Sequence, residues 1–298
     1  MKCLNAIFTY NRPALLQNCV DSYFEFGPEG DLLIVDDGSD MPQQTAYLAA
    51  LARERGGQLA VWSSDRSNKH RLGGLYGNMQ RVTRHAIQHG YDYVFYIQDD
   101  QQFMWKDPEF WIKVAGIFAA HPDTLVVRPV FDKKIFSHDH KNRFASCGDC
   151  AGVLFKKSWF TAVGIVSLRR AQELDWQFEK SEGENNNKSR DLGCPMYLLK
   201  HPTLAFVPTP ETWRFGQKTA KTVARTKKYY FKPLSEAQVA RILASDRVVL
   251  LEDYCIPWGW KAWAPYDFSD NRKKYLENLW RWMKKGKLRN WPRLQGTK

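Results

Sequence analysis

Apolar runs alternate with segments of helical periodicity along the first half of the chain. Short apolar runs of the kind that form buried strands occur at residues 3–9, 32–35, 58–62, 91–97 and 124–128. Between them, apolar residues recur every three or four positions at residues 13–24, 43–55, 76–88 and 108–118, which predicts helices. Strands that alternate with helices predict βαβ units. The expected fold class is therefore α/β, with a mostly parallel sheet flanked by helices.

Paired aspartates follow two of these predicted strands. Asp36 and Asp37 come directly after the second strand, and Asp99 and Asp100 come directly after the fourth. Ligands of such sheets bind at the carboxyl ends of the strands, so these loops should lie along one edge. Adjacent carboxylates repel unless a cation or hydrogen-bond donors compensate, and hard oxygen ligands suit Mg²⁺ or Mn²⁺. The structural alternatives are a solvated loop with a helix cap and an ordinary turn.

The composition is that of a globular protein, but its charge is unevenly distributed. Of 298 residues, 44% are hydrophobic and 26% are charged, which excludes a disordered chain. Residues 1–213 contain 24 Lys/Arg and 25 Asp/Glu, whereas residues 214–298 contain 20 and 7, so the net charge of +12 lies in the last third. The charge therefore divides the chain into a near-neutral part, residues 1–213, and a basic extension over residues 214–298, which we expect to be helical.

Cysteine usage and hydropathy indicate a cytoplasmic protein. The six cysteines are sparse and irregularly spaced, so we expect no disulfide framework. Zinc-type ligands cluster at His138, His140, Cys147 and Cys150, but their spacing is not that of a common zinc finger, and we expect no zinc there. No apolar run is long enough for a transmembrane helix, and the apolar stretch at the N-terminus is too short for a signal peptide.

Three motifs, taken in their order and spacing, carry a family resemblance. They are TYNRP at 9–13, IVDDGSD at 34–40 and YIQDDQQF at 96–103. Together they resemble the nucleotide-sugar half of GT-A fold glycosyltransferases, in particular the family 2-like inverting enzymes. The likeness covers about residues 3–213 and is strongest in the first 105, so it implies a catalytic domain over residues 1–213 with a donor half (about 1–105) and an acceptor half (about 106–213). It implies a Rossmann-like nucleotide-binding sheet that takes a nucleotide-diphosphate sugar together with Mn²⁺ or Mg²⁺.

The resemblance also implies roles for matching positions. The loops after the first two strands would surround the base and ribose through Thr9, Asn11, Arg12, Asp36 and Asp37. The metal motif of the family reads Gln98-Asp99-Asp100 here, so a glutamine replaces the first carboxylate of D-x-D. Asp100 would bind the metal, and Asp99 would contact the ribose or the metal. Arg71 would pair with the diphosphate; its structural alternative is surface charge.

An inverting transfer needs a general base that takes the proton of the acceptor hydroxyl. The family supplies it from an ED-like motif near the start of a helix, and the matching segment here is 172–178 (QELDWQF). Asp175 aligns best with the base because W-x-F follows it, and Glu173 is the second candidate. The structural alternative for Asp175 is a first-turn aspartate that interacts favourably with a helix dipole.

The basic last third has more than one interpretation. Residues 270–298 hold 10 Lys/Arg and 2 acids, with apolar residues at helical spacing, which suits an anionic membrane surface and a lipid-linked acceptor. Alternatively, this helix packs its apolar stripe on the catalytic domain. Residues 214–232 are also basic and could form a loop that closes over the donor diphosphate.

The sequence therefore favours a glycosyltransferase with a carbohydrate or lipid-linked acceptor, acting in cell-surface polysaccharide or glycolipid synthesis. We expect it in the cytoplasm or peripherally at the inner face of a membrane. One alternative is a sugar nucleotidylyltransferase-like enzyme, although a glycine-rich phosphate loop is missing after the first strand. The other is a nucleic-acid-binding protein that uses the basic last third. Asp-rich loops in a near-neutral domain disfavour nucleic acid there, because they repel phosphates.

Overall fold

A computed structural model describes residues 1–64, 74–132, 144–146, 151–155, 160–207, 213–214, 217–218, 231, 233–245 and 249–251, of which 144–146, 213–214 and 217–218 are described by their backbone alone. The strands are β1 (Cys3–Thr9), β2 (Asp31–Asp36), β3 (Leu59–Ser63), β4 (Tyr93–Gln98), β5 (Gln101–Phe103), β6 (Val126–Arg128), β7 (Phe144–Ser146), β8 (Gly152–Phe155), β9 (Gly164–Ser167), β10 (Met196–Leu199), β11 (Leu204–Phe206), β12 (Trp213–Arg214) and β13 (Gln217–Lys218). The helices are α1 (Pro13–Phe26), α2 (Pro42–Arg55), α3 (Leu75–Gln88), α4 (Phe110–Ala120), α5 (Leu168–Glu173), α6 (Glu182–Asp191) and α7 (Glu236–Leu243).

One 9-stranded sheet organises the described part of the chain, in the order β3-β2-β1-β4-β9-β6-β10-β8-β7. The pairs β3-β2, β2-β1 and β1-β4 are parallel, and so is β6-β10. Because β9 is antiparallel to both β4 and β6, those two strands point the same way. The carboxyl ends of β1, β2, β4 and β6 therefore lie at one edge of the sheet.

Helices cover both faces of this sheet, which explains the continuous apolar strand runs. Alternate residues of a strand point to opposite faces, so Ile7 of β1 joins a core layer with Leu16 of α1 and Val114 of α4. Its neighbour Phe8 joins the other layer, which includes Met79 and Val82 of α3. Proline in the first turn begins α1 and α2, where its missing N–H leaves no hydrogen bond unmade.

The structure confirms the predicted α/β class and the mostly parallel sheet. The five predicted strands and four predicted helices of the first half correspond to β1, β2, β3, β4, β6 and α1 to α4, with ends shifted by a few residues. Residues 106–213 contribute the two strands, β8 and β9, that run against the other strands of the sheet.

Residues near the start of the basic extension pack on the main domain. Ile242 of α7 and Leu251 lie in a third apolar cluster with Met104, Trp105 and Phe131. A capping box at Ser235 begins α7, as Ser235 Oγ accepts from the N–H of residue 238. This part of the extension therefore shares an apolar core with the segment that follows the paired aspartates.

Candidate functional site

The loops after β1 and β4 meet at the carboxyl edge of the sheet, as their adjacent parallel strands require. The Thr9 hydroxyl donates a hydrogen bond of 2.7 Å to Asp99 Oδ2. The Asp99 N–H in turn donates to the carbonyl oxygen of Phe8 at 3.0 Å. Both side chains are buried, with Thr9 3% and Asp99 0% exposed. The structure thus brings together two residues that lie 90 positions apart in the sequence.

Arg12, which precedes α1, is the cation nearest to the paired aspartates among the described residues. Its Nη2 lies 2.5 Å from Asp99 Oδ1, and its Nε donates to Asp99 Oδ2 at 3.1 Å. The Nη1 atom of the same side chain lies 3.5 Å from Asp100 Oδ2. A single guanidinium therefore balances much of the charge of two adjacent carboxylates.

The pKa of Asp99 reflects competing effects of burial and charge. Burial raises it to about 6, the guanidinium of Arg12 lowers it, and the carboxylate of Asp100 raises it. Hydrogen bonds from the Thr9 hydroxyl and the backbone N–H of Tyr10 also lower it. Asp99 therefore gains or loses its proton near pH 6, which is above the range in which an ordinary aspartate titrates.

The paired aspartates leave one buried carboxylate oxygen, Asp100 Oδ1, outside the hydrogen bonds and ion pairs of the described residues. Neither Asp99 Oδ1 nor Asp100 Oδ1 has a hydrogen-bond partner in the part of the chain that the structure describes. The contact between Asp99 Oδ1 and Arg12 is an ion pair that lacks the angles of a hydrogen bond. Among the described residues, no group of three or more His, Cys, Asp or Glu side chains could hold a metal. A cation here would need oxygens from phosphate or water to complete its shell, as Mg²⁺ commonly does.

The loop after β2 is held by hydrogen bonds that involve Asp36. Its Oδ2 accepts from the N–H of Ser39 at 2.8 Å, and its Oδ1 accepts from the Ser39 hydroxyl at 2.5 Å. The carboxamide of Gln44, on α2, donates to the same Oδ1 at 2.8 Å. Gly38 turns the loop with a φ of 70°, which favours glycine. Gln44 could not be identified from the sequence, because it stands beside another glutamine at the start of a polar helix.

Asn11 connects the first loop to the second. It adopts a φ of 51°, in the left-handed region that asparagine tolerates. Its Nδ2 donates to Asp40 Oδ1 at 2.6 Å, and its Oδ1 accepts from the N–H of Asp40 at 2.9 Å. Asn11 therefore fixes the relative position of the two loops rather than contacting Asp99.

Asp37 faces the start of α3. Its Oδ2 accepts from the N–H of Gly74 at 2.7 Å, and its Oδ1 accepts from Nδ2 of Asn78 at 2.9 Å. The Asn78 carboxamide oxygen also accepts from the Ser64 hydroxyl at 2.6 Å. A negative charge at a helix N-terminus is favourable, so Asp37 stabilises the position of α3 at the site edge.

Asp175 and Glu173 lie apart from the paired aspartates. α5 begins near the opposite edge of the sheet, where the N–H of Leu168 donates to the carbonyl of Asp92 just before β4. Glu173 is the last residue of α5 and forms ion pairs with Arg169 and Arg170. The expectation that Asp175 begins a helix is wrong. Its φ is 45°, it is exposed, and it follows the end of α5.

The helix start expected near Asp175 occurs seven residues later, at Glu182. Ser181 caps this helix, α6, by accepting from the N–H of Glu184 at 3.3 Å. Glu182 is exposed as a residue, yet neighbouring atoms desolvate its carboxylate and raise its pKa, while the positive charge of Arg128 lowers it. Its negative charge also raises the pKa of Tyr76, near the start of α3. Arg128 ends β6 at the same sheet edge as Asp99, so the charge of Glu182 acts on a residue of that edge.

Other predicted site residues lie outside the described residues. These are Arg71, the possible zinc ligands His138, His140, Cys147 and Cys150, and the basic helix at 270–285. In the described part of the chain, no helix is both long enough and apolar enough to cross a membrane.

The fold is that of the GT-A glycosyltransferases. The structure of GalNAc-T7 with UDP, GalNAc and Mn²⁺ matches it with a TM-score of 0.50 and 11% identity, over 72% of this chain and 44% of that one. A mannosyltransferase from Pyrobaculum calidifontis, in complex with GDP-Man and Mn²⁺, matches with a TM-score of 0.48 and 16% identity, over 70% and 57%. At these identities the likeness shows the fold alone.

S. aureus TarS is a third similar structure. Its fragment 1–349, in complex with UDP-GlcNAc, matches with a TM-score of 0.45 and 14% identity, over 82% of this chain and 71% of that one. The present chain spans 37% of a longer TarS structure, so it corresponds to only part of some of these proteins. No protein-family model matches the sequence, and no curated protein matches it either.

Proposed function

We propose that this protein transfers a sugar from a nucleotide-diphosphate sugar to an acceptor hydroxyl. The observation that carries the proposal is the cluster of Thr9, Arg12, Asp99 and Asp100 at the carboxyl edge of parallel strands, the usual ligand-binding edge of such sheets. The buried Asp100 Oδ1, which has no hydrogen-bond partner among the described residues, supports a cation-binding role. The GT-A fold supports this choice over other functions of α/β proteins.

The donor nucleoside would bind at the loops after β1 and β2. Thr9, Asn11, Arg12, Asp36 and Asp37 are its proposed contacts. Hydrogen bonds between these residues and within the loops hold the loops in place. The base and ribose would then contact the accessible groups of the two loops. Arg71 is the proposed contact of the diphosphate, because a guanidinium pairs with phosphate through two hydrogen bonds.

Asp100, together with Asp99, would hold Mn²⁺ or Mg²⁺. The bound cation would supply Lewis-acid stabilisation of the departing nucleoside diphosphate. Arg12 lies against both carboxylates and would keep Asp99 ionised near neutral pH, because its positive charge lowers the pKa of that carboxyl. Asp100 Oδ1 then remains without a hydrogen bond for the cation, whereas Asp99 Oδ1 would be shared between the cation and Arg12 Nη2.

Inverting transfer would need a carboxylate base on the acceptor side. The base removes the proton of the acceptor hydroxyl, whose oxygen attacks the anomeric carbon as the bond to the diphosphate oxygen breaks. Asp175 and Glu173 are the candidates from the sequence motif. We favour Glu182, because its charge acts on Arg128, which ends β6 at the same sheet edge as Asp99. The raised pKa of Glu182 makes it a stronger base than an ordinary glutamate.

The acceptor would be a carbohydrate or a lipid-linked sugar, as in polysaccharide or glycolipid synthesis. The basic residues of 214–298 would hold the enzyme peripherally at an anionic membrane. Deletion of residues 270–298 should then weaken binding to liposomes that contain anionic lipids. Unchanged liposome binding would contradict the membrane role and leave the transferase proposal intact.

A thermal-shift experiment tests the proposed function. UDP and GDP are each added to the wild type with and without Mn²⁺, and the same series is repeated on Asp100→Ala. At least one nucleotide should raise Tm of the wild type more with Mn²⁺ than without it. Asp100→Ala should lose the Mn²⁺-dependent part of that rise. If neither nucleotide stabilises the wild type, the glycosyltransferase proposal fails.

A further inference from the structure

A fully buried glutamine links the two donor loops. Gln44 lies in the first turn of α2, and its side chain is 0% exposed. The preceding residue, Gln43, is exposed. A buried carboxamide is costly unless its donors and acceptor are all hydrogen-bonded. The partners of Gln44 therefore indicate why a polar side chain occupies this position.

The orientation of this carboxamide follows from a backbone contact. Arg12 N–H lies 2.7 Å from Gln44 Oε1, and an N–H can only donate, so this side of the carboxamide must be its oxygen. The nitrogen Nε2 then faces Ser39 Oγ at 2.7 Å, Asp36 Oδ1 at 2.8 Å and Thr9 Oγ1 at 3.1 Å. Nε2 carries two protons for these three acceptors, so Ser39 Oγ and Asp36 Oδ1, which lie 2.5 Å apart, can share one proton while Thr9 Oγ1 accepts the other.

These donated hydrogen bonds fix the direction of two hydroxyl groups. Ser39 Oγ accepts from Gln44 and also from the N–H of Asn11 at 2.8 Å, so its own proton is directed to Asp36 Oδ1. Thr9 Oγ1 accepts from Gln44, so its proton is directed to Asp99 Oδ2 at 2.7 Å. One side chain therefore orients hydrogen bonds to Asp36, at the end of β2, and to Asp99, after β4.

We propose that Gln44 is the positioning residue that sets Asp36 and Asp99 relative to each other. The inference rests on the proposed function, in which these aspartates belong to the donor and metal site. Gln44 is fully buried and would act through Thr9 and Ser39 rather than by touching a substrate. Partners of this kind, one contact removed from a ligand group, commonly determine affinity because they fix its orientation.

Isothermal titration of Gln44→Met with UDP and GDP, each in the presence of Mn²⁺, tests this role. Methionine keeps the length of the side chain and removes its donors and acceptor. The affinity for the nucleotide that the wild type binds should fall by about 10- to 100-fold. Gln43→Met is the matched control and should bind as the wild type does, because residue 43 is exposed.

A double-mutant cycle separates positioning from general destabilisation. Thr9→Val removes the hydroxyl through which Gln44 reaches Asp99. If Gln44 acts through Thr9, the double variant should lose less affinity than the two single losses multiplied together. Independent, multiplicative losses would overturn the positioning role. If Gln44→Met does not fold, Gln44→Asn replaces it in the same cycle, and wild-type affinity in that variant would also overturn the role.

The outcomes distinguish the two proposals. Normal nucleotide binding by folded Gln44→Met would overturn the role of Gln44 while the proposed function stands. Absence of Mn²⁺-dependent nucleotide binding in the wild type would overturn the proposed function, and the inference about Gln44 with it.

Discussion

Arg12 Nη2 lies 2.5 Å from Asp99 Oδ1, and this ion pair joins the loop after β1 to the loop after β4. Asp99 is fully buried, so removal of its positive partner would leave an uncompensated charge in a site of low polarity. The same guanidinium reaches Asp100 at 3.5 Å. Arg12 is therefore a structural counter-ion of the site as well as a proposed donor contact.

Nucleotide binding in the presence of Mn²⁺ should weaken as the pH falls through about 6. Burial raises the pKa of Asp99 to about 6, so below that pH the carboxyl is protonated and neutral, and above it the carboxylate is available to a cation. Arg12→Gln removes the positive charge that lowers this pKa, so the midpoint should move to higher pH. Isothermal titration across the pH range measures both midpoints.

Arg81→Gln is the control for this pH shift, because Arg81 is exposed on α3 and contacts the ring of Trp62. It should leave the midpoint unchanged. A midpoint that Arg12→Gln leaves in place would contradict the electrostatic coupling between Arg12 and Asp99.

Glu182→Gln should reduce sugar transfer while nucleotide binding is retained. Glutamine keeps the shape of the side chain but cannot accept the proton of the acceptor hydroxyl, and general bases contribute about 10²- to 10⁴-fold to rate. The measurement is the turnover rate with a nucleotide sugar and acceptor, together with nucleotide affinity.

Two matched variants accompany this measurement. Glu184→Gln changes a carboxylate on the same helix, whose Oε2 accepts from the Ser181 hydroxyl at 2.7 Å, and it should retain turnover. Asp175→Asn tests the candidate from the sequence motif. Loss of turnover in Asp175→Asn, with normal turnover in Glu182→Gln, would return the role of base to Asp175.

Gly74→Ala should disturb the contact between Asp37 and α3. A β-carbon at residue 74 would collide with Asp37 Oδ1, and the Asp37 Cγ would be 3.2 Å away. The carboxylate must then move away from the N–H of Gly74 and from Asn78, which we expect to cost about 1–3 kcal/mol in the free energy of unfolding. Chemical denaturation measures the loss.

Gly77→Ala is the control, because an added β-carbon there has no heavy atom within 4 Å. It lies inside the same helix, where alanine is favoured over glycine by about 0.5–1 kcal/mol. Equal stability of the Gly74→Ala and Gly77→Ala variants would show that the Asp37 contact has no energetic role.

Ile242→Ala should destabilise the main domain together with α7. The side chain is fully buried in the cluster that includes Met104 and Trp105, so its truncation should cost about 2–5 kcal/mol. Leu243, its neighbour, is 47% exposed, and Leu243→Ala should change stability little. A separate early unfolding transition in Ile242→Ala would indicate that α7 unfolds independently of the sheet.

The first half of the fold could be predicted because each of its signals is local. The apolar run 32–35 indicates a strand that is buried on both faces. The spacing of Leu15, Leu16, Cys19 and Val20 indicates a helix with one buried face. The rule that parallel strands end at one edge then brings Asp36 close to Asp99. The partners of these residues could not be predicted, because Gln44 differs from Gln43 only in the direction that α2 gives its side chain.

The segment 168–191 was harder to predict, because its helix ends depend on contacts between residues that are distant in the sequence. Trp176 and Phe178 looked like part of a helix, but they pack with Phe160 in an aromatic cluster that follows a short α5. The helix thus ends at Glu173, inside the motif, and the next helix begins at Glu182, because tertiary packing overrides the local pattern. Arg128, which ends an apolar strand, was the sequence feature that could have indicated a carboxylate at this edge. A buried guanidinium needs a carboxylate partner.

The reversed strand β9 has a consequence for how the two halves depend on each other. It separates β4 from β6, so Asp99 and Arg128 stand two strand spacings apart, about 10 Å in the hydrogen-bonding direction. Neither half of the chain carries both groups. Under the proposed function, an isolated donor half would bind nucleotide but would not catalyse sugar transfer. Transfer would require the second half, which supplies the groups on the β6 side of the site.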